Sequence, residues 1–185
     1  MSEKKRNSLF KEQKATKPKV EEIIPEWLDG DMKKNALDFS TWLRANKMSP
    51  LWSSANSWKA NYKGRGICSI KILHSDRADD KNRKYSWFIA VYYSDREKYD
   101  AFVERKGLLT HFRENIWYCN CTLGGLPQNC GSMRDVIVLG KEHKDVCGHY
   151  YPMYFCDPDA KVIKGIKKLI VFEREARQSC IYARK

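Results

Sequence analysis

The chain has 185 residues, 42% hydrophobic and 31% charged, a balance that excludes a disordered polar chain and supplies enough apolar side chain for one sizeable core. Its formal net charge is +12, which favours polyanions such as nucleic acid or anionic membrane surfaces. No apolar run approaches the roughly 20 residues of a membrane span, and no apolar stretch with a small-residue cleavage site follows the basic N-terminus, so the reading is a cytoplasmic protein with no membrane partner.

Residues 1–19 hold Lys4, Lys5, Arg6, Lys11, Lys14, Lys17 and Lys19 against Glu3 and Glu12, without apolar periodicity, and are expected to form a flexible basic arm. A single domain is expected over 20–185. Ala36, Leu37, Phe39, Trp42 and Leu43 recur at near-helical spacing after Asp29-Gly30-Asp31, which predicts a helix over 31–47, ended by Met48-Ser49-Pro50.

Trp58, Ala60 and Tyr62, then Cys68, Ile70 and Ile72, alternate with polar residues around Lys63-Gly64-Arg65-Gly66, the pattern of a β-hairpin. Tyr85 to Tyr93 carries bulky residues at both parities, as does a strand covered on both faces or one at an aromatic-lined concavity. Ser94 and Glu97 form a capping box ahead of Tyr99, Phe102 and Val103, predicting a second helix to Lys106 with Gly107 closing it. Val136 to Leu139 reads as a further short strand. Asp157-Pro158 starts a last helix, whose apolar stripe is Val162, Ile163, Ile166, Leu169 and Ile170. Lys161, Lys164, Lys167 and Lys168 on its opposite face read as a solvated surface. The sum is an α+β fold, an antiparallel sheet of a hairpin plus further strands flanked by helices, with a cysteine-rich lobe.

That lobe is the segment 117–156, which holds Cys119, Cys121, Cys130, Cys147 and Cys156, five of the seven cysteines. A reducing compartment disfavours disulfides, and glycine turns help thiolates converge, so Cys119, Cys121, Cys130 and Cys147 are candidate zinc ligands with His143, His149 and Cys156 in reserve. Buried structural thiols are the plainer reading. Cys147-Gly148-His149 adds a third, a thiol activated by an imidazole, and with it the alternative of a thiol-dependent or metal-assisted enzyme.

Cys119, Cys121 and Cys130, then Leu139-Gly140-Lys141-Glu142, Val146-Cys147 and Asp157-Pro158-Asp159, form a pattern that resembles a bacterial domain-of-unknown-function family. The resemblance covers about the last third of the chain, and weakly Trp58 to Tyr93. It implies a shared fold and cysteine cluster and carries no activity with it.

Six tryptophans and ten tyrosines are many for this length. Trp58, Tyr62, Trp87 and Tyr92, around the expected sheet, are candidate ligand-binding residues, with an ordinary aromatic core as the competing account. Lys59, Lys63 and Arg65 beside them suit single-stranded nucleic acid. The function expected from the sequence is therefore a binding module for a small ligand or nucleic acid, with zinc as a possible structural cofactor.

Overall fold

A computed structural model describes residues 3–73, 85–92, 96–117, 133–147 and 153–182. The fold is α+β. In chain order the elements are α1 (Glu3–Thr16), α2 (Val20–Trp27), α3 (Gly30–Ala45), β1 (Pro50–Ser54), β2 (Ser57–Tyr62), β3 (Arg65–Ile72), β4 (Trp87–Val91), α4 (Arg96–Arg105), α5 (Leu109–Asn115), β5 (Ile116–Trp117), β6 (Met133–Val138), β7 (Lys141–Cys147), β8 (Met153–Cys156) and α6 (Ala160–Tyr182).

The alternating residues of β2 and β3 pair as their pattern demands, and the sheet grows from that hairpin. Six strands stand in the order β1-β2-β3-β4-β8-β5, every neighbouring pair antiparallel. The β2–β3 turn is Lys63-Gly64, both with positive φ, the backbone that lets a two-residue loop follow the twist of its strands. Leu139-Gly140 repeats this device in the separate β6–β7 hairpin. That hairpin is tied down where Asp100 accepts the Leu139 amide at 3.0 Å and Arg113 Nε donates to the Leu139 carbonyl at 2.7 Å.

One face of the sheet makes the core. Trp58 and Ala60, Cys68, Ile70 and Ile72, Trp87, Ile89 and Val91, and Met153 and Phe155 are all buried and meet in register across four strands. The described helices lie over this face. Phe112 of α5 packs edge-on against Phe155 at 5.0 Å, Phe10 of α1 meets Trp52 of β1 at 6.0 Å, and the apolar stripe of α6 joins the same cluster. α4 docks on α6, where Phe102 stacks on Phe172 with ring centroids 4.5 Å apart.

Two expectations change, and one helix forms that the sequence did not announce. Residues 3–16, expected as a loose arm, form α1, and the reason is Gln13: it is buried and caps the β1–β2 turn, donating to Asn56 Oδ1 at 2.6 Å and accepting the Asn56 amide at 2.7 Å. The N-cap of α6 is Asp159 rather than Asp157, since Asp159 Oδ1 accepts the Val162 amide at 2.7 Å. Asp157 instead binds the start of β4, its carboxylate accepting the Ser86 and Trp87 amides at 2.9 and 3.0 Å while its own amide donates to the Trp87 carbonyl. Finally, α2 forms although Pro25 lies inside it. Burial of Val20, Ile23 and Ile24 holds it, and Glu22 accepts the Lys19 amide at its start. Ser94 of the expected capping box lies outside the described residues.

α6 is fastened to the sheet by a buried polar chain. The Tyr99 hydroxyl donates to Glu173, Arg177 pairs with the same carboxylate, and Arg177 also donates to the carbonyls of Gly66 at 3.0 Å and Tyr92 at 3.4 Å. A buried carboxylate needs such partners to remain in the interior. Among the described residues no helix is long and apolar enough to cross a membrane.

Candidate functional site

In a β-strand, neighbours in sequence point to opposite faces. The residues between the core positions of β2, β3, β4 and β8 therefore form a second surface, on the side away from the described helices. One row across it runs Lys59, Ser69, Ala90, Tyr154, and the adjacent row runs Ser57, Lys71, Phe88, Cys156. Tyr92, two residues beyond Ala90, lies on the same side. Its hydroxyl is 3.2 Å from Ser69 Oγ, and Lys59 Nζ is 5.5 Å from its ring centroid.

The shape follows from side-chain size. Ala90 has Phe88 and Tyr92 two residues away on its own strand, Tyr154 opposite it on β8 and Ser69 opposite it on β3. Two short side chains are thus bordered by three rings, and Ser69 and Ala90 are buried beneath half-buried Phe88, Tyr92 and Tyr154. Phe88 and Tyr154 meet edge to face at 5.3 Å, and Tyr85 holds Phe88 from the other side at 6.2 Å, so the rings are braced by one another. Gly66 contributes by having no side chain: a Cβ there would lie 2.3 Å from Lys59 Cε, on the path that the lysine takes towards Tyr92.

The charges of the described residues in these rows have one sign. Lys59 is exposed, Lys71 is half-buried, and none of the described residues in these rows is acidic. This surface offers ring faces, hydroxyls and cations. Acid–base chemistry would call for a carboxylate or imidazole with a partner, and the described residues of this face supply neither.

The four aromatic residues singled out from sequence separate in space. Trp58 and Trp87 are each 0% exposed in the core, and the Trp58 indole donates to the Pro18 carbonyl at 2.7 Å. Tyr62 is on the helix side, with Arg174 of α6 5.9 Å from its ring centroid. Tyr92 alone belongs to the open surface. Phe88 and Tyr154 escaped the sequence reading. The signal for Phe88 was available in strand parity, since the residue after a buried tryptophan must face the other way. Tyr154 lay at the end of the cysteine-rich segment, beyond the one strand expected there at Val136 to Leu139.

Of the proposed zinc ligands, Cys119, Cys121 and Cys130 lie outside the described residues, as does His149. Cys147 ends β7, its backbone in register with Met133. Among the described residues no three of His, Cys, Asp and Glu gather as a metal site would require. Cys68 is a core residue whose burial pushes its thiol pKa far up, which makes it a poor nucleophile. Cys156 is half-buried at the end of β8. No family model, curated protein or solved structure matches the chain.

Proposed function

We propose that the protein is a binding module for single-stranded nucleic acid, and that the strand lies on the open face of the sheet. What carries this reading is the grouping of Phe88, Tyr92 and Tyr154 around the small residues Ser69 and Ala90, with Lys59 and Lys71 beside them and no described carboxylate in the same rows. Bases stack on aromatic side chains whatever their sequence, and phosphates seek lysines, so this combination suits an unpaired strand better than a duplex. The net charge of +12 adds a field that draws any polyanion in.

Fluorescence anisotropy of labelled dT12 and U12 against a 12-base-pair duplex tests it. Single strands are expected to bind more tightly than the duplex. Phe88→Ala and Tyr92→Ala are each expected to weaken binding by about 1–3 kcal/mol. In Lys59→Gln/Lys71→Gln the dependence of log affinity on log salt is expected to flatten by about 1.4, since each of two phosphate contacts on a single strand contributes roughly 0.7. Unchanged binding in the ring variants would dismiss the stacking surface.

We propose in addition that the cysteine-rich segment holds a structural zinc ion. Support comes from the density of cysteines between 119 and 156, and from Cys130 preceding by three residues the Met133 that pairs with Cys147. Native mass spectrometry of chelator-free protein should show one zinc per chain and four protected thiols. Metal-free protein with all exposed thiols reacting would reject this part and leave the sheet surface untouched.

A further inference from the structure

The helical side of the molecule carries a second concavity, with a different chemistry from the sheet. Trp42 of α3, Phe102 and Lys106 at the end of α4, and Lys164, Lys167, Lys168, Val171, Phe172 and Glu175 of α6 line a surface groove of about 450 Å³. We infer that this groove is a binding site for a small aromatic anion, a planar ring system bearing a sulfonate, carboxylate or phosphate.

Three observations lead there. First, Lys164, Lys167 and Lys168 of α6, solvated as their spacing predicts, border an apolar surface. The packing of α3 and α4 beside α6 brings Trp42, Phe102 and Phe172 to the same groove, with Phe102 and Phe172 stacked 24° from parallel and Lys167 Nζ 5.7 Å from the Trp42 ring centroid. Second, the charges do not balance within the groove: four lysines line it against one glutamate. Lys167 is matched by Asp38, 2.5 Å away, whereas Lys106, Lys164 and Lys168 are exposed and form no ion pair among the described residues. Third, the volume lies within the roughly 300–1,000 Å³ of small-molecule sites.

The apolar surface that half-buried Trp42 and Phe172 leave open, with ammonium groups beside it, selects a ligand with both an aromatic body and an anionic head. The body gains from apolar burial and stacking, and the head from charge-assisted hydrogen bonds. A neutral ring loses the second contribution and a simple inorganic anion the first. The site is on the opposite side of the sheet from the surface proposed for nucleic acid, so the two readings stand or fall separately.

The probe is 8-anilinonaphthalene-1-sulfonate, compared with N-phenyl-1-naphthylamine, which has the same rings and no charge. The sulfonate is expected to bind once per chain, to quench tryptophan emission, and to be displaced by naphthalene-1-sulfonate. Lys164→Gln/Lys168→Gln, which alters only exposed side chains, is expected to weaken the sulfonate by about tenfold and to leave the neutral amine unchanged. Phe88→Ala on the sheet is expected to change neither. Equal affinity for the two probes, or sulfonate binding indifferent to the lysine changes, would overturn the assignment. Displacement by laurate as effective as by naphthalene-1-sulfonate would overturn its aromatic part.

Discussion

Trp87 and Phe88 are adjacent in sequence and similar in chemistry, yet they belong to opposite surfaces of one sheet. The face of Trp87 is a closed hydrophobic layer covered by helices, in which each ring is fixed by neighbours on all sides. On the face of Phe88, rings brace one another around Ser69 and Ala90 and are only half withdrawn from solvent, with lysines at the margin. Aromatic content therefore says little about role until parity is known. A ring used for packing has lost the surface that a ligand would need.

The widest separation between the faces should appear in stability. Trp87→Ala removes a fully buried indole and is expected to cost about 3–5 kcal/mol, whereas Phe88→Ala, which empties no closed cavity, is expected to cost about 1 kcal/mol. Urea denaturation of the two variants measures this directly. Comparable losses would mean that the outer face is as closed as the inner one. Trp87→Phe should be milder than Trp87→Ala, because the buried indole N–H has no hydrogen-bond partner among the described residues and only packing is forfeited.

A smaller effect is expected at Asp157, whose carboxylate holds the amides of Ser86 and Trp87 and so helps set which residue of β4 faces inward. Asp157→Ala leaves those amides without their acceptor, for an expected loss of about 1–3 kcal/mol, and Asp157→Asn keeps an acceptor and should lose much less. Burial raises the Asp157 pKa, with the two amides working against that rise. A carboxyl raised in the folded state favours folding while protonated, so its contribution is present at low pH and fades as pH climbs through the folded pKa. Thermal unfolding scanned from acid to neutral pH should show this component in the wild type and lack it in the asparagine variant.

Gln13→Ala tests how the covered face is completed at its β1 edge. Gln13 satisfies both the amide and the side-chain carbonyl of Asn56, and its removal is expected to cost about 1–2 kcal/mol and to expose the lysines of α1 to faster tryptic cleavage. Unchanged cleavage would detach α1 from any part in the core.

The smallest effect is expected within the helical layer, where Arg44 pairs with Glu21 through two hydrogen bonds of 2.7 and 2.8 Å. Burial pushes the Glu21 pKa up, but the guanidinium and further hydrogen bonds outweigh it and the net direction is down. A lowered carboxylate stabilises above its unfolded pKa and loses that contribution as pH falls through the folded one. Arg44→Gln should cost less than about 1 kcal/mol, because both side chains are partly exposed, and the difference from wild type should narrow on acidification.

Local chemistry made much of this fold legible. The β2–β3 hairpin, the strand at Trp87, helices α3 and α6 and the glycines that close their turns all follow from period, caps and positive φ, which depend on neighbours within a few residues. The short strands β1, β5 and β8 were hidden because two to five residues are too few to show a period, and they owe their form to the strands beside them. α1 was hidden because its polar surface lacks an apolar stripe, and what secures it is long-range: buried Gln13 bonds to Asn56 and Trp52, 43 and 39 positions away, and Phe10 meets the Trp52 ring. Phe88 and Tyr154 join across β4 and β8, 66 residues apart, and no local pattern records that pairing.

By itself the amino-acid sequence determined the α+β class, the basic character, the central hairpin and the amphipathic last helix, since propensity, alternation and charge act over one or two turns of chain. Tertiary structure alone decided which aromatic residues became core and which became surface, and that Lys167 of α6 would stand over the Trp42 ring. Those outcomes depend on register and on which helix packs against which, and both are set by contacts between segments that the sequence holds far apart.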